Sequence, residues 1–284
     1  AASAARGGAA ARDDRAAAKH QQLVSLAAAL APALRAISAE LAVGDAFGAR
    51  RAPVVADLCG GSGHVALFLA AIYDDARFVV VDNKPGSLAL AEDRIRAAGL
   101  GDRVAVALAD VASYAEPFDV GVALHACGEA TDMALAAVRA CSARAFAVVP
   151  CCVGKLAQAR VHDKFPRSRA AAQAGVSRQE FLMLARAADV HTVAGIEKGG
   201  GTRPQRRRRL AKTAVEVDRM CAMTESASYC THMMLLEPLD SSAKNDVCVG
   251  WLGDACPYCA EPGVQEFLAP WADGPGARLE RDAR

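Results

Sequence analysis

The sequence has 284 residues, of which 53% are hydrophobic and 23% are charged. A chain of this length buries roughly 75% of its unfolded surface on folding, so it can build a core without disulfide or metal staples. Its 33 Lys and Arg against 32 Asp and Glu leave a net charge of +1. That balance excludes a global attraction to nucleic acid or to an anionic membrane. Uninterrupted apolar runs fall short of the roughly 20 residues of a membrane span, so no membrane association is expected.

The ten cysteines indicate a reduced interior rather than a disulfide framework. Four of them, Cys59, Cys127, Cys151 and Cys152, lie in or at the ends of strand-like runs, and the chain is larger than a typical disulfide scaffold. We therefore expect a cytoplasmic protein. Residues 1–12 form an Ala- and Arg-rich stretch without an initiating Met, which we predict to be disordered.

Helix-like and strand-like segments alternate along the first half of the chain. An amphipathic helix is predicted over residues 13–41, in which Leu23, Leu26, Leu30 and Leu34 recur at helical spacing. Strands are predicted at 54–56, 78–81, 104–108, 118–124 and 145–149, and helices at 64–72, 87–98 and 130–140. This alternation predicts an α/β fold with a doubly wound, parallel sheet.

The second half is predicted to close this sheet with an antiparallel hairpin. A polar region at 155–178 is followed by helices at 178–188 and 210–226, a Gly- and Arg-rich loop at 195–209, and strands at 232–237 and 247–252. The turn between the two strands is so short that they must pair antiparallel. We assign residues 13–252 to one domain, and we expect residues 253–284 to be a loose tail.

A glycine loop after the first strand satisfies the dinucleotide-binding pattern. It contains Gly61 and Gly63, and Asp82 follows about 20 residues later as a ribose-binding carboxylate. Asp57 precedes the loop, close to where a pyrophosphate would lie. Its carboxylate would repel that group but would stabilise the ammonium and sulfonium of S-adenosylmethionine. The sequence therefore favours S-adenosylmethionine over NAD.

Three carboxylates would hold different parts of this ligand. Asp57 is expected at its amino-acid end with the glycine loop, Asp82 at the ribose hydroxyls, and Asp110 at the adenine amino group. All three lie at the carboxyl ends of neighbouring strands, where open α/β sheets bind ligands. In the alternative interpretation the Asp residues are helix N-caps and the glycines serve a tight turn. Three such residues at successive strand ends favour the ligand site.

His125 is the candidate general base, in the loop predicted after the fourth strand. The ordinary pKa of histidine lies near neutrality, which suits proton transfer. The alternative is a histidine that only forms a hydrogen bond with the loop backbone. No Asn-Pro-Pro-Tyr-like element accompanies it, so N-methylation of a nucleobase amine is not indicated.

Cys151 is a candidate catalytic residue at the end of the fifth strand, next to Cys152. A thiolate there would attack a pyrimidine ring and activate it for carbon methylation. The pair would alternatively bind a metal with His125 or Cys127. Buried cysteines that simply pack beneath the pocket are the commoner case.

Two further patterns have weaker implications. Cys256-Pro257-Tyr258-Cys259 has half of a zinc-ribbon spacing, but no second pair stands at a suitable separation, so no metal site is predicted.

A basic run would clamp the phosphates of an RNA substrate, although a solvated surface is an equal alternative because stacking aromatics are absent nearby. The run comprises Arg203, Arg206, Arg207, Arg208, Arg209 and Lys212.

Several motifs together resemble the methyltransferase domain of the glutathione S-transferase C-terminal domain-containing protein family. They are Leu124 to Asp132 (LHACGEATD), Pro150 to Lys155 (PCCVGK), Gln205-Arg206-Arg207, Asp218-Arg219, and Glu237-Pro238 with Lys244-Asn245. The resemblance covers residues 15–252 and implies a class I methyltransferase fold that is Rossmann-like and depends on S-adenosylmethionine. It implies that the ligand is held by Asp57, Gly61, Gly63, Asp82 and Asp110, and we add Leu124 at the end of the fourth strand.

One position departs from the signature of such domains, Asp-x-Gly-x-Gly-x-Gly. Cys59 stands where the first glycine is usual, which places a side chain near the methionine moiety. We expect a methyltransferase with an unknown acceptor, RNA or protein, that works mainly by aligning the reactants. The alternatives are a scaffold that binds S-adenosylmethionine without turnover and an NAD-dependent oxidoreductase.

Overall fold

The computed structural model describes residues 2–43, 51–189, 201–242 and 244–260. The strands in this part are β1 (Val54–Leu58), β2 (Arg77–Asp82), β3 (Val104–Leu108), β4 (Val120–Cys127), β5 (Ala145–Cys151), β6 (Tyr229–Leu235) and β7 (Asp246–Leu252). The α-helices are α1 (Ala2–Val43), α2 (His64–Ile72), α3 (Pro85–Ala97), α4 (Glu129–Ala140), α5 (Arg169–Gln173), α6 (Arg178–Ala187) and α7 (Arg203–Ala227). Short 3-10 helices span Val111–Ser113, Val153–Gln158 and Pro257–Ala260.

The strands form one sheet in the order β3-β2-β1-β4-β5-β7-β6. Strands β1 to β5 are parallel, whereas β7 runs antiparallel to both β5 and β6. The predicted doubly wound sheet with a C-terminal hairpin is confirmed. The chain reverses its direction of winding between β1 and β4, and open α/β sheets bind ligands at such a switch point, beyond the carboxyl ends of the strands.

Strand β4 is longer at its carboxyl end than the sequence predicts. It continues to Cys127, and its pairing with β5 shifts register between Leu124 and Ala126. His125 stands at this irregularity with a φ of 65°, in the left-handed region. The predicted loop position of His125 is therefore wrong. The residue belongs to a bulged strand, and bulges commonly redirect a side chain next to a site.

Helix α1 covers one face of the sheet with a buried apolar stripe. Leu26, Leu30, Leu34 and Ile37 are at most 2% exposed, and the helix contacts β5 and β7. It begins at Ala2, so residues 2–12 are helical rather than disordered as predicted. Its segment 14–43 also has the length and apolar composition of a membrane-spanning helix. The length of uninterrupted apolar runs does not reveal this property, because isolated polar residues interrupt an Ala- and Leu-rich segment.

Helix α7 begins earlier than predicted, at Arg203. Thr202 caps it through a reciprocal pair of hydrogen bonds with Gln205, and a proline lies in its first turn. These are strong helix-start signals. The predicted Gly- and Arg-rich loop at 195–209 is therefore wrong from residue 203 onward, while residues 190–200 lie outside the described residues.

The domain continues beyond the last strand. Tyr258 is fully buried in the same core cluster as the stripe of α1. Residues 253–260 are thus part of the packed domain and not the start of a loose tail. Residues 261–284 lie outside the described residues.

Candidate functional site

The glycine loop joins β1 to α2 through three residues in the left-handed region. Gly61 and Gly63 have φ values of 57° and 76°, and Cys59 has 61°. Cys59, the departure from the signature, thus adopts a conformation that glycine reaches more easily. A Cβ on Gly60 would lie 2.7 Å from the Cγ of Asp57. The backbone of the loop therefore passes directly against this carboxyl group.

Asp57 is 1% exposed near the end of β1. Its Oδ2 accepts a hydrogen bond of 3.2 Å from the backbone N–H of Ala66 in α2. Burial raises the pKa of Asp57 to about 7, although the Ala66 N–H and the positive charge of Lys19 act in the opposite direction. A buried carboxyl group poised in this way would gain from a cationic ligand, which lowers its pKa and restores the carboxylate.

Asp82 connects the loops after β1 and β2. Its carboxylate accepts hydrogen bonds from the N–H of Gly61 at 3.0 Å and from the N–H of Lys84 at 2.9 Å. Asp110 follows β3, is exposed, and accepts from the N–H of Ala112 at 3.0 Å as the cap of a 3-10 helix. Asp110 thus caps this turn through one of its two carboxylate oxygens, so the cap does not by itself decide between the two interpretations of this residue. The three carboxyl groups still lie at the carboxyl ends of three adjacent strands.

Helix α1 contributes two residues to this edge that sequence reasoning missed. The half-buried ammonium of Lys19 acts electrostatically on Asp57, His64 and His125. Gln22 is 8% exposed, and its side-chain oxygen lies 2.8 Å from Nε2 of His125. Gln22 interrupts the apolar stripe that Leu26 and Leu30 continue at helical spacing. A polar residue on a buried stripe was the available signal.

His125 is a weak base in this environment. Burial, together with the positive charges of Lys19 and Lys244, lowers its pKa to about 4. The side-chain N–H of Gln22 donates to the carbonyl of Ser241, so the oxygen of Gln22 faces His125 and accepts from Nε2. The imidazole is therefore neutral and held by a side chain rather than by the loop backbone. Its role as the general base remains a prediction.

Cys151 is poorly suited to attack a substrate. Its Sγ lies 2.9 Å from the Sγ of Cys127 and 3.3 Å from the carbonyl oxygen of His125. It is 4% exposed, and burial raises its pKa well above the ordinary value. Partial burial also disfavours the thiolate form of Cys152. Hydrogen bonds from the thiols of Cys127 and Cys151 and the positive charge of Lys244 outweigh this effect, so the pKa of Cys152 is lowered. Burial and charge therefore favour Cys152 over Cys151 as the more reactive thiol.

Two motifs of the family resemblance meet in a buried ion-pair network. Arg219 donates to Asp132 at 2.9 Å, to Glu216 at 2.9 Å and to the carbonyl of Gly128 at 2.8 Å. The side chains of Arg219, Asp132 and Glu216 are 1%, 6% and 0% exposed. Arg167 pairs with Asp132 as well. The network holds the end of β4 and the start of α4 against α7.

The basic run is divided between core and surface. Arg209 and Lys212 both pair with Asp246, and the side chain of Arg209 is 11% exposed. Arg209 is therefore a structural residue, and its predicted role as an RNA contact is not supported by this geometry. The exposed arginines of the first turns of α7 are Arg203, Arg206, Arg207 and Arg208.

The model of a family described as "Methyltransferase domain" matches residues 18–159. The glutathione S-transferase C-terminal domain-containing protein of Xenopus laevis is 34% identical over 206 residues, which cover 71% of this chain and 31% of that protein. The protein of that name from Homo sapiens is 32% identical over 200 residues, or 69% of this chain and 29% of its own length. This chain thus spans about a third of the length of these relatives.

Similarity to solved structures is weaker. The methyltransferase domain of bacterial CtHen1-C is 14% identical, with a TM-score of 0.45, and the match covers 84% of this chain and 100% of that one. Such a similarity carries no argument about activity. The family model, by contrast, takes in β1 to β5 with the glycine loop, His125 and Cys151. The chain belongs to this methyltransferase domain family, which confirms its resemblance to the glutathione S-transferase C-terminal domain-containing proteins.

Proposed function

We propose that this domain binds S-adenosylmethionine at the carboxyl edge of β1, β2 and β3 and transfers the methyl group to an acceptor. The observation that carries the proposal is the buried carboxyl group of Asp57 directly beneath the backbone of the glycine loop. A ligand with an ammonium and a sulfonium compensates this buried group, whereas a pyrophosphate would meet it as a like charge.

We expect the residues of the cleft to bind different parts of the ligand. Asp57 and the glycine loop hold the amino-acid end, Asp82 accepts from the ribose hydroxyls, and Asp110 from the adenine amino group. Half-buried Leu124 lies in β4, directly before the bulge at His125. When bound, S-adenosylmethionine supplies a methyl group on a cationic sulfur. The chain contributes alignment and a field matched to that charge.

Isothermal titration of the same preparation with S-adenosylmethionine and with NADH tests the ligand. We expect binding of the first and none of the second, and Asp57→Asn should weaken the first. Asp93→Asn is a matched control, because Asp93 is exposed on α3 and pairs with Arg96. Binding of NADH in preference to S-adenosylmethionine would contradict the proposal.

A second assay separates an enzyme from a scaffold. Protein is incubated with S-adenosylmethionine carrying a tritiated methyl group and with fractionated cell extract. Labelled product supports turnover. Tight binding without label in any fraction would instead support the scaffold.

We propose RNA as the acceptor, because exposed arginines flank the same edge of the sheet. Asp246 begins β7, which runs antiparallel to β5, so it lies toward the carboxyl end of β5. Arg209 pairs with Asp246 and fixes the first turns of α7 at that edge. The exposed side chains of Arg206, Arg207 and Arg208 extend from these turns, and such a cluster binds phosphates.

The salt dependence of RNA binding tests this acceptor. Replacing Arg207 and Arg208 by Ala should reduce the slope of log K against log salt by about 1.4 for a single strand. Replacing exposed Arg96 and Arg186 by Ala is the matched control, with the same change in net charge. Equal slopes for the two double variants would remove RNA from consideration.

A further inference from the structure

Four potential metal ligands converge at the edge of the sheet formed by β6. Cys230 and His232 lie on β6, and Cys256 and Cys259 lie on the segment that follows β7. Their ligand atoms all lie within 4.8 Å of one another. We call this group the Cys–His cluster.

The distances within the cluster fit a single tetrahedral ion. Nε2 of His232 lies 3.4 Å from the Sγ of Cys230, and 3.6 Å from the Sγ atoms of Cys256 and Cys259. The Sγ atoms of Cys230 and Cys259 are 3.5 Å apart. Ligands at Zn–S of about 2.3 Å and Zn–N of about 2.0–2.1 Å in tetrahedral geometry are separated by about 3.5–3.8 Å. The four atoms are thus spaced as if around a zinc ion.

Local structure explains how four residues distant in sequence meet. Side chains alternate along a strand, so Cys230 and His232 lie on the same face of β6. Cys256 and Cys259 are brought together by the turn between them, where the N–H of Cys259 donates to the carbonyl of Cys256 at 3.2 Å. The sequence lacks a second Cys-x-x-Cys pair at a suitable separation, and for that reason it predicts no metal site. In the structure a Cys-x-His pair on β6 takes the place of the second pair.

Hydrogen bonding accounts poorly for the same arrangement. One imidazole nitrogen faces three thiols, although its single lone pair accepts one good hydrogen bond. Nδ1 of His232 is buried and has no hydrogen-bond partner among the described residues. A metal uses Nε2 and all three sulfurs together, with the imidazole proton left on Nδ1.

We propose that Cys230, His232, Cys256 and Cys259 bind one structural Zn²⁺ ion. Three thiolates and one imidazole make a closed set of four ligands, which is typical of structural rather than catalytic zinc. Binding releases the three thiol protons to solvent. The ion would fasten the Cys256–Cys259 segment across β6, the edge strand of the sheet, and so protect an exposed edge.

The site would also stabilise the packing of α1. Tyr258 lies between the two ligands Cys256 and Cys259 and is fully buried, and its 3-10 helix contacts α1. Helix α1 carries Lys19 and Gln22 to the cofactor edge. Zinc would therefore support the placement of α1 without contacting the cleft.

A second group of thiols is the main competitor for a metal. The Sγ atoms of Cys127, Cys151 and Cys152 also lie close together. The described residues add no fourth His, Cys, Asp or Glu ligand to that group. The experiment must therefore separate the two groups.

Metal analysis of the chain purified in reductant and without a metal-affinity tag tests the proposal. We expect one zinc ion per chain by mass spectrometry of the elements. Cys256→Ser and Cys259→Ser should each lose it. Cys152→Ser tests the competing group, Cys141→Ser and Cys221→Ser replace half-buried cysteines elsewhere, and these three variants should keep it.

Measurements on the unmodified chain guard against variants that fail to fold. Exchange of zinc for Co²⁺ should give the ligand-field bands of a tetrahedral ion and thiolate-to-cobalt charge transfer. Removal of zinc by a chelator should lower the Tm by several degrees, and added zinc should restore it.

Four results would overturn the proposal. They are zinc-free protein, full zinc in Cys256→Ser and Cys259→Ser, a full equivalent of a different metal, and a Cys230–Cys259 disulfide in non-reducing peptide mass spectrometry.

Discussion

The two sides of the cleft are built in different ways. On the cofactor side, Asp57, the glycine loop and Asp82 lie close in sequence, and backbone N–H groups of the loop and of α2 donate to the two carboxyl groups. The other side, which we propose faces the methyl acceptor and call the acceptor side, is formed by side chains from distant segments that meet. Gln22 and His125 are 103 positions apart, and Arg219 and Asp132 are 87 apart. A local motif thus specifies the first side, whereas buried polar contacts between remote elements hold the second.

Among the variants considered, Arg219→Ala should cause the largest loss of stability, because it disrupts the ion-pair network on the acceptor side. The substitution leaves Asp132 and Glu216 buried without their main cation, which costs about 3–5 kcal/mol of the free energy of unfolding. Arg96→Ala is the control, because Arg96 pairs with Asp93 in solvent, with side-chain exposures of 75% and 70%, and its loss should change little. Urea denaturation measures both. Comparable losses would show that the buried network adds nothing beyond a surface pair.

The pH dependence of stability should sharpen the contrast on the cofactor side. Burial raises the pKa of Asp57 to about 7 in the folded chain. At pH values between the ordinary pKa of an aspartate and about 7, the folded chain therefore keeps a proton on Asp57 that the unfolded chain has lost. The stability from this group is present at low pH and is lost as the pH rises through about 7. Relative to Asp57→Asn, the free energy of unfolding of the ligand-free chain should fall by about 2–4 kcal/mol between mildly acidic and mildly alkaline pH. Parallel profiles for the two proteins would mean that Asp57 ionises normally.

Asp82→Ala tests whether the cofactor side depends on side chains as well as backbone. Loss of charge-assisted hydrogen bonds to the ribose should weaken S-adenosylmethionine by about 1.5–3 kcal/mol. Titration calorimetry gives the affinity, and Asp93→Ala serves as the exposed control. An unchanged affinity would exclude Asp82 from the site.

The smallest expected effect concerns the reactivity of the two thiols at the end of β5. Cys152 has a lowered pKa and is half-exposed, whereas Cys151 is buried and has a raised pKa. Near neutral pH, iodoacetamide should modify Cys152 about tenfold faster or more. Peptide mass spectrometry over time follows each site. Faster modification of Cys151 would revive its role as a nucleophile.

The sequence predicts the sheet and the cofactor side because their signals are local. Apolar runs that alternate with helical periods define β1 to β5, and carboxylates at strand ends mark the edge where ligands bind.

The predicted start of α7 is too late, although Thr202 and Gln205 form a capping box that marks the true start. The density of arginines suggested a loop, but arginine has a high helix propensity.

The acceptor side and the Cys–His cluster depend on contacts that no short window contains. The bulge that turns His125 arises from the pairing of β4 with β5. Gln22 reaches His125 only because α1 packs on the sheet. Cys230 and His232 become neighbours of Cys256 and Cys259 only after β6 and β7 pair and the chain returns across the edge. Such contacts follow from tertiary packing.

The apolar stripe of α1 creates a problem of timing during synthesis. The helix is made before β1 to β7, yet it rests on β5 and on β7, and β7 ends at Leu252. Until those strands emerge, a segment with the length and composition of a membrane span lacks the strands that cover it in the folded domain. Any delay in completing the sheet would leave this segment open to chaperones, to a lipid surface or to another nascent chain.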